Sequence, residues 1–256
     1  MLISSRKNDG VRLFRELSRE KKTRDESGLF SVEGDHLCGE LARCGYEITL
    51  ALVTEKAQKK YPETAKLLVS MAKDSAEIND EIAEYISDTK APQGLFAVAK
   101  KRPPNADIGA AKRVVLLDGV QDPGNVGTVI RTAEALKIGA AALSGNCADI
   151  YSPKAMRASM GSALRLPCIT GGLSETISTL KAGGFTVYGA MLDETAARLG
   201  ELSFPEKAAV VIGSEGSGIS GEIKALCDAA LYIPIEGAES LNAAAAAAII
   251  LWELSR

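Results

Sequence analysis

Along the first hundred residues, apolar and polar positions fall into blocks whose period changes. Residues 9–21 carry apolar side chains at helical spacing among charges, the run "LFSVEG" follows, and helical spacing returns around Asp35 to Arg43. "ITLALVT" reads as a strand, the stretches around Glu63 to Ala72 and Asp80 to Ile86 as helices, and "GLFAVAK" as a further strand. This alternation predicts a small α/β domain over residues 1–100. The stretch "KKRPPNADIGAAKR" then mixes two prolines with charges and small residues, the composition of a linker, assigned to residues 101–112. From 113 to 256 the strands change character. "RVVLLDGV", "AAALSG", "FTVYGAML", "AAVVIGSE" and "LYIPI" are continuous apolar runs separated by helical segments. Strands without alternation belong to a sheet covered on both faces, so the second domain is expected to be α/β with a mostly parallel sheet.

Composition agrees with two domains and removes several function classes. The 256 residues are 46% hydrophobic, enough to bury a substantial core. No apolar stretch reaches the roughly 18 residues of a membrane span, and "MLISSRKNDG" has no apolar segment after its charges, so neither export nor a membrane partner is expected. The five cysteines, Cys38, Cys44, Cys147, Cys168 and Cys227, are scattered and odd in number, with no C-x-x-C spacing. That pattern encodes neither a disulfide framework nor a zinc site and points to a reduced, cytoplasmic compartment. His36 is the single histidine, which excludes a His-based metal cluster; no metal is expected.

The net charge of −3 is unevenly spread. Residues 1–24 hold eight basic residues against three acidic ones, a balance of +5, whereas residues 113–256 hold 11 against 15, a balance of −4. A basic arm of this kind is either a polyanion footprint or a solvated helix face, and charge alone leaves both readings open.

Ligands of open parallel sheets gather at the carboxyl ends of the strands, and three loops there are unusual. In "VVLLDGVQDPGNVGTVIRTAEAL" the Asp122-Pro123-Gly124-Asn125 stretch suits a turn with Gly124 at positive φ, and Asn125 suits the cap of a helix burying Val126, Val129, Ile130 and Ala133. Arg131 falls one position off that stripe. The second loop, "VVIGSEGSGIS", packs three glycines into six residues and matches neither phosphate-binding glycine motif; Glu215 at its centre disfavours an anion. In the third, "YIPIEGAESLNAAAAAAIILWEL", a strand is expected to end at Ile235, and Ser240 or Asn242 to cap a helix opening with six alanines. Taken singly, each loop also has a purely structural reading as a cap, a tight turn or a closely packed terminal helix.

In combination, "DPGNVGTVIRTAEA", "IGSEGSGIS" and "IPIEGAESLNAAAAAA", in this order, resemble the three motifs of the SpoU branch of the SPOUT-class RNA ribose methyltransferases. "RDESGLFSVEGDHLCGEL" resembles the small N-terminal substrate-binding domain of many such enzymes, and "SPKAMRASMGSALRLP" the segment between their first two motifs. One departure is visible: Ala243-Ala244 stands where the third motif often has Val-Ser, which removes a hydroxyl from that turn.

The resemblance implies a trefoil knot in the second domain, S-adenosylmethionine as cofactor, a ribosomal or transfer RNA substrate rather than DNA, and a homodimer whose active site draws on both chains. It implies that Ile212, Gly213, Ser214, Gly216 and Gly218 cradle the methionine and ribose portions of the cofactor, with Ser240 alongside. Ile233, Ile235 and Leu241 would wall the adenine, and Gly189, Ala190 and Met191 would complete the pocket. Arg131, Asn125, Glu215, Ser240 and Asn242 would form the catalytic set. A guanidinium pKa of roughly 12 or more makes Arg131 a poor free base, so positioning and charge stabilisation is the favoured role, with general base as the alternative. A base-methylating enzyme of the same fold and a non-catalytic RNA-binding protein are the competing readings.

Overall fold

A computed structural model describes residues 2–102, 108–237 and 240–256. The chain forms two compact units, Met1–Arg102 with Tyr151–Leu164, and Pro103–Ile150 with Arg165–Arg256. Within the expected linker, residues 103–107 lie outside the described residues, and Ile108–Ala110 forms one 3-10 turn.

The first unit is built from β1 (Leu2–Ile3), α1 (Asp9–Arg19), α2 (Lys21–Ser27), β2 (Leu29–Glu33), α3 (Asp35–Arg43) and β3 (Ile48–Thr54). It continues with α4 (Glu55–Lys60), α5 (Pro62–Met71), β4 (Asp74–Ile78), α6 (Asp80–Ile86) and β5 (Leu95–Lys100). The strands form one sheet in the order β1-β4-β3-β5-β2, with β1, β4 and β3 parallel and β5 antiparallel to both neighbours. Helix α1 starts where Asn8 accepts from the amides of Gly10 and Val11, and it buries Val11, Phe14 and Leu17; Phe14 meets Phe96 of β5 edge-on at 5.2 Å. Four elements of this unit escape the periodicity. Strand β1 has two residues, α4 has six, β4 is mostly polar, and α2 turns only one side chain inward. That side chain is Arg24, 3% exposed, whose Nη1 donates to the Leu17 carbonyl at 2.6 Å.

The excursion from Tyr151 to Leu164, expected within the second domain, packs in this unit as α8 (Pro153–Ser159) and the start of α9 (Ser162–Arg165). Met156 is fully buried beside Phe14, Val32 and Leu37. Arg157 pairs with Asp88 at 2.6 Å and with Glu33 at 3.8 Å, and the Tyr46 hydroxyl donates to the Leu164 carbonyl at 3.3 Å. Deleting residues 1–102 is therefore expected to strip α8 of its packing. Burial of Met156 alone is worth about 1.5–3 kcal/mol, so calorimetry should show the truncated protein melting lower than the full chain. An unchanged transition would mean that residues 151–164 hold their fold without those partners.

The second unit is built from β6 (Arg113–Asp118), α7 (Pro123–Ala135), β7 (Ala140–Ser144), β8 (Cys168–Gly171), α10 (Leu173–Ala182) and β9 (Thr186–Ala190). It ends with β10 (Ala197–Arg198), β11 (Ala208–Gly213), α11 (Gly221–Leu226), β12 (Ala229–Tyr232) and α12 (Ala243–Ser255). All seven strands are parallel, in the order β10-β12-β9-β11-β6-β7-β8. Val114 and Leu116 join the core under α10 and α11, which includes Leu173, Ile177, Leu180 and Ile223. By the two-residue strand period, Val115 and Leu117 face the other side, where α7 and α12 pack together. Strand β11 enters between β9 and β6, β12 adds outside β9, and α12 then returns to α7.

Two local expectations are corrected. The last strand ends at Tyr232, so Ile233, Pro234 and Ile235 lie beyond it in a loop. The cap of α7 is Asp122, whose carboxylate accepts from Gly124 N at 2.6 Å and Asn125 N at 3.1 Å. Pro123 occupies the first turn of that helix, where its missing N–H costs nothing, and Gly124 does not adopt positive φ.

Candidate active site

Freed from capping, Asn125 turns its side chain towards the other two loops. Its Nδ2 donates to Glu215 Oε1, and its Oδ1 accepts from Asn242 Nδ2 at 3.1 Å. The carboxylate can only accept, so it fixes which way the Asn125 amide points, and that in turn presents the amide oxygen to Asn242. Asn242 also caps α12, accepting from Ala244 N at 2.9 Å and Ala245 N at 3.3 Å through Oδ1, which leaves Nδ2 for Asn125. One chain of hydrogen bonds thus links the three motif loops at the carboxyl end of the sheet.

Beside it lies a cleft of about 260 Å³, walled by the segments after β9, β11 and β12 and by one face of α12. Ala190, Met191, Ile212, Gly213, Ser214, Gly218, Ile233, Ile235, Ser240 and Leu241 line it, as does Glu215. Two residues expected there do not. Gly189 sits behind the wall, where a Cβ would stand 2.1 Å from Met191 Cε and 3.1 Å from Cys227 Sγ, so its bareness makes room for Met191. Gly216 lines a separate polar cavity on the far side of the glycine loop. Leu192, Leu231, Tyr232, Ala243, Ala246 and Ile250 line the cleft without having been singled out. For Ala243, Ala246 and Ile250 a signal existed, because positions i, i+3 and i+7 share one helix face. Leu192 had none beyond being a large apolar residue, and it stands 80% exposed at this cleft.

The glycine loop is tight. Ser214 and Gly218 exchange both backbone hydrogen bonds, at 3.1 and 3.0 Å, and Gly218 has φ +66°. A Cβ on Gly213 would lie 2.2 Å from the Gly218 carbonyl carbon, so only glycine allows the two backbones to pass.

The lining suits an apolar, flat group with a polar edge. Ile212, Ile233, Ile235, Leu241 and Ile250 supply apolar surface. Among the described residues, the N–H groups of Ile233, Ile235 and Leu241 have no hydrogen-bond partner. Main-chain donors without partners beside an apolar slot are what an adenine edge requires.

Arg131 stands apart. It is exposed, and its side chain makes no hydrogen bond or ion pair with the described residues. Helical geometry places it about 120° round α7 from Asn125 and about 9 Å along the axis. The N-terminal arm is less available than its charge suggested. Arg6 pairs with Glu81 at 2.7 Å, Arg12 with Glu16 at 3.9 Å, and Lys22 with Glu26 at 3.7 Å; Arg15 donates to the Tyr85 hydroxyl at 2.6 Å, and Arg24 is buried. The side chains of Lys7, Arg19 and Lys21 remain exposed without a partner among the described residues.

Burial pushes the Cys168 thiol up to about 12, and burial with the nearby Asp228 carboxylate pushes Cys227 up to about 11. Both stay protonated near neutral pH, so neither supplies the thiolate that nucleophilic catalysis by cysteine needs. His36 lies in the first unit with its Nε2 at 3.1 Å from the Met160 carbonyl oxygen. Among the described residues no cluster of three or more metal-ligating side chains occurs.

Comparison with known proteins bears on both units. The sequence profile of the SpoU rRNA Methylase family matches residues 112–252, and that of the MRM3-like substrate binding domain matches residues 8–97. The chain is 33% identical over 253 residues to the 23S rRNA (guanosine(2553)-2'-O)-methyltransferase RlmP of Bacillus subtilis, covering 98% of each chain. It is 30% identical over 250 residues to the 23S rRNA (uridine(2479)-2'-O)-methyltransferase of Streptomyces viridochromogenes, covering 93% of this chain and 86% of that one. The crystal structure of an AdoMet-bound rRNA methyltransferase from Sinorhizobium meliloti superposes with a TM-score of 0.88 at 28% identity, covering 99% and 96% of the two chains.

Proposed function

The chain belongs to the SpoU rRNA methylase family, and from that premise we infer that it transfers a methyl group from S-adenosylmethionine to the 2'-hydroxyl of an RNA ribose. The observation that carries this reading is the Asn242–Asn125–Glu215 chain at the edge of the cofactor cleft. Bound S-adenosylmethionine supplies an electrophilic methyl group on a positively charged sulfur. The carboxylate of Glu215, which lines the cleft, complements that charge and holds Asn125 in place. Asn125 and Asn242 orient the ribose, and Ser240, on the same cleft, offers a hydroxyl to the reacting groups.

Arg131 positions the 2'-hydroxyl and stabilises the charge that develops on its oxygen, the proton leaving to a substrate phosphate or to water. Its exposure, and its turn away from Asn125, support delivery from a second copy of the chain. The exposed apolar stripe of α12, Ala245, Ile249 and Trp252, supports the same reading. Trp252 is 57% exposed on a helix that packs beside α7, and a two-fold contact there would cover both helices. We place the substrate in ribosomal RNA, with 23S rRNA as the specific proposal from the relatives, and the enzyme in the cytoplasm. Among the described residues no helix is long and apolar enough to cross a membrane.

The substrate tests the chemistry. Once the methylated nucleotide is mapped by nucleoside mass spectrometry, an RNA carrying 2'-deoxyribose at that position alone should bind like the natural substrate and accept no methyl group. Methylation of the deoxy RNA would move the acceptor to a base.

A further inference from the structure

The glycine loop after β11 has two faces. One closes the cofactor cleft; the other, with the carboxyl ends of β6 and β7, walls a second cavity of about 340 Å³. Every side chain on its wall is polar, and the remaining lining residues are glycines. Asp118, Gln121 and Asn146 line one side, and Ser214, Ser217 and Ser220 the other. No lysine or arginine is among the described residues that line it, whereas the carboxylates of Asp118 and Glu215 are. Carboxylates with no cation among them repel an anion, so a phosphate is not its natural occupant.

Two of the polar groups, Asp118 and Asn146, are held in fixed orientations. Asp118, 5% exposed at the end of β6, accepts from Ser220 N at 2.7 Å through Oδ2, and its Oδ1 has no partner among the described residues. The Ser144 hydroxyl accepts from Gly119 N at 2.9 Å and donates to Asn146 Oδ1 at 2.5 Å. With its oxygen so engaged, Asn146 presents an Nδ2 that has no partner among the described residues, and the Gln121 amide is equally uncommitted. A carboxylate oxygen, an oriented N–H donor and a free amide on the walls of a cation-free slot are the groups that read the edge of a nucleobase.

We propose that this cavity receives the base of the nucleotide whose ribose is methylated, and that guanine is its occupant. Guanine matches the lining because N1–H and the N2 amino group can donate to the Asp118 carboxylate, through the open Oδ1 and the second lone pair of Oδ2 beside its bond to Ser220 N, while O6 accepts from Asn146. The inference rests on the methyl-transfer reading. Its geometry follows from the shared wall: Ser214, Glu215 and Gly218 line both cavities, so a base in one brings its ribose to the rim where Glu215 meets Asn125. A base taken out of its stack and held this way also fixes the in-line approach of its own 2'-oxygen.

The test uses the full chain saturated with S-adenosylhomocysteine, probed with GMP, IMP and CMP by saturation-transfer NMR. GMP should bind, IMP, which lacks the N2 amino group, should bind several-fold more weakly, and CMP should give no signal. Asn146→Leu should weaken GMP at least about tenfold, the effect of one lost base-edge contact, and leave S-adenosylhomocysteine affinity by calorimetry unchanged. Absence of GMP binding to protein that holds S-adenosylhomocysteine overturns the inference, as does equal binding of GMP and IMP or unaltered GMP binding to the variant. A variant that loses S-adenosylhomocysteine instead would assign the cavity to the methionine end of the cofactor and overturn it too. Failure of the unmodified protein to bind S-adenosylhomocysteine at all would count against the methyl-transfer reading itself.

Discussion

Replacing Arg131 with alanine is expected to reduce methyl transfer by at least about a hundredfold, the usual consequence of removing one stabiliser of a developing charge. S-adenosylmethionine affinity should be unchanged, because Arg131 does not line the cofactor cleft. Arg131→Lys should restore little, since an ammonium cannot hold a hydroxyl and a neighbouring phosphate in one planar fork. The position of the residue adds a second expectation. Arg131 faces away from Asn125 and has no partner within the described residues of its own chain. If it serves a second copy, mixing Arg131→Ala with Asn242→Ala protein and allowing subunits to exchange should regain activity that neither variant has alone, through the one site per hybrid that keeps both residues. Single-turnover methylation of a mapped RNA substrate measures both effects. Full activity of Arg131→Ala would remove it from the chemistry, and a mixture no more active than its components would place both residues in the same protomer's site.

The second large effect is on the cofactor. Ala246 is half-buried on α12 and points into the cleft, so Ala246→Trp should fill the space that the cofactor needs and abolish binding of S-adenosylmethionine in calorimetry. The fold should survive, because the indole enters an open cleft rather than a packed core. Gly216→Trp is the matching control. It lies on the other face of the glycine loop, where a Cβ meets nothing within 4 Å, and it should leave cofactor affinity intact. Retained binding in Ala246→Trp, with an unchanged melting temperature, would show that the cofactor sits elsewhere.

Much of this organisation is legible in the chain. The strands from Arg113 onward are continuous apolar runs, and a doubly covered parallel sheet is the one arrangement that buries such runs on both sides. The strands that escaped are β10, with only two residues, and β8, where only Cys168 and Ile169 of its four residues are apolar. Helix α2 escaped because the residue it buries is an arginine, whose charge reads as surface until its guanidinium is seen on the Leu17 carbonyl. The same blind spot inflated the apparent basic arm, since the charge count treats Arg24 as if it were free.

The site divides along a similar line. That three loops at strand ends carry the chemistry followed from their residue types, and the glycines at 213, 216 and 218 marked a loop whose backbone can approach a ligand closely. Which residues touch did not follow. Asp122 and Asn125 are both good caps, and nothing local decides between them. The decision comes from Glu215, 90 residues away, and Asn242, 117 residues away, which engage the Asn125 side chain once Asp122 has taken the helix N-terminus. Likewise Gly189 and Gly216 look like members of one cradle, yet one backs Met191 and the other faces the polar cavity. The sequence by itself determined the α/β class, the two-part chain and the loops that matter, because these rest on periodicity and turn chemistry within a few residues. Only the tertiary structure decided the partners of Asn125, the two faces of the glycine loop and the packing of residues 151–164 with the first unit. Those contacts are set by the order in which parallel strands are laid beside one another, and strand order leaves no mark on the residues of any single strand.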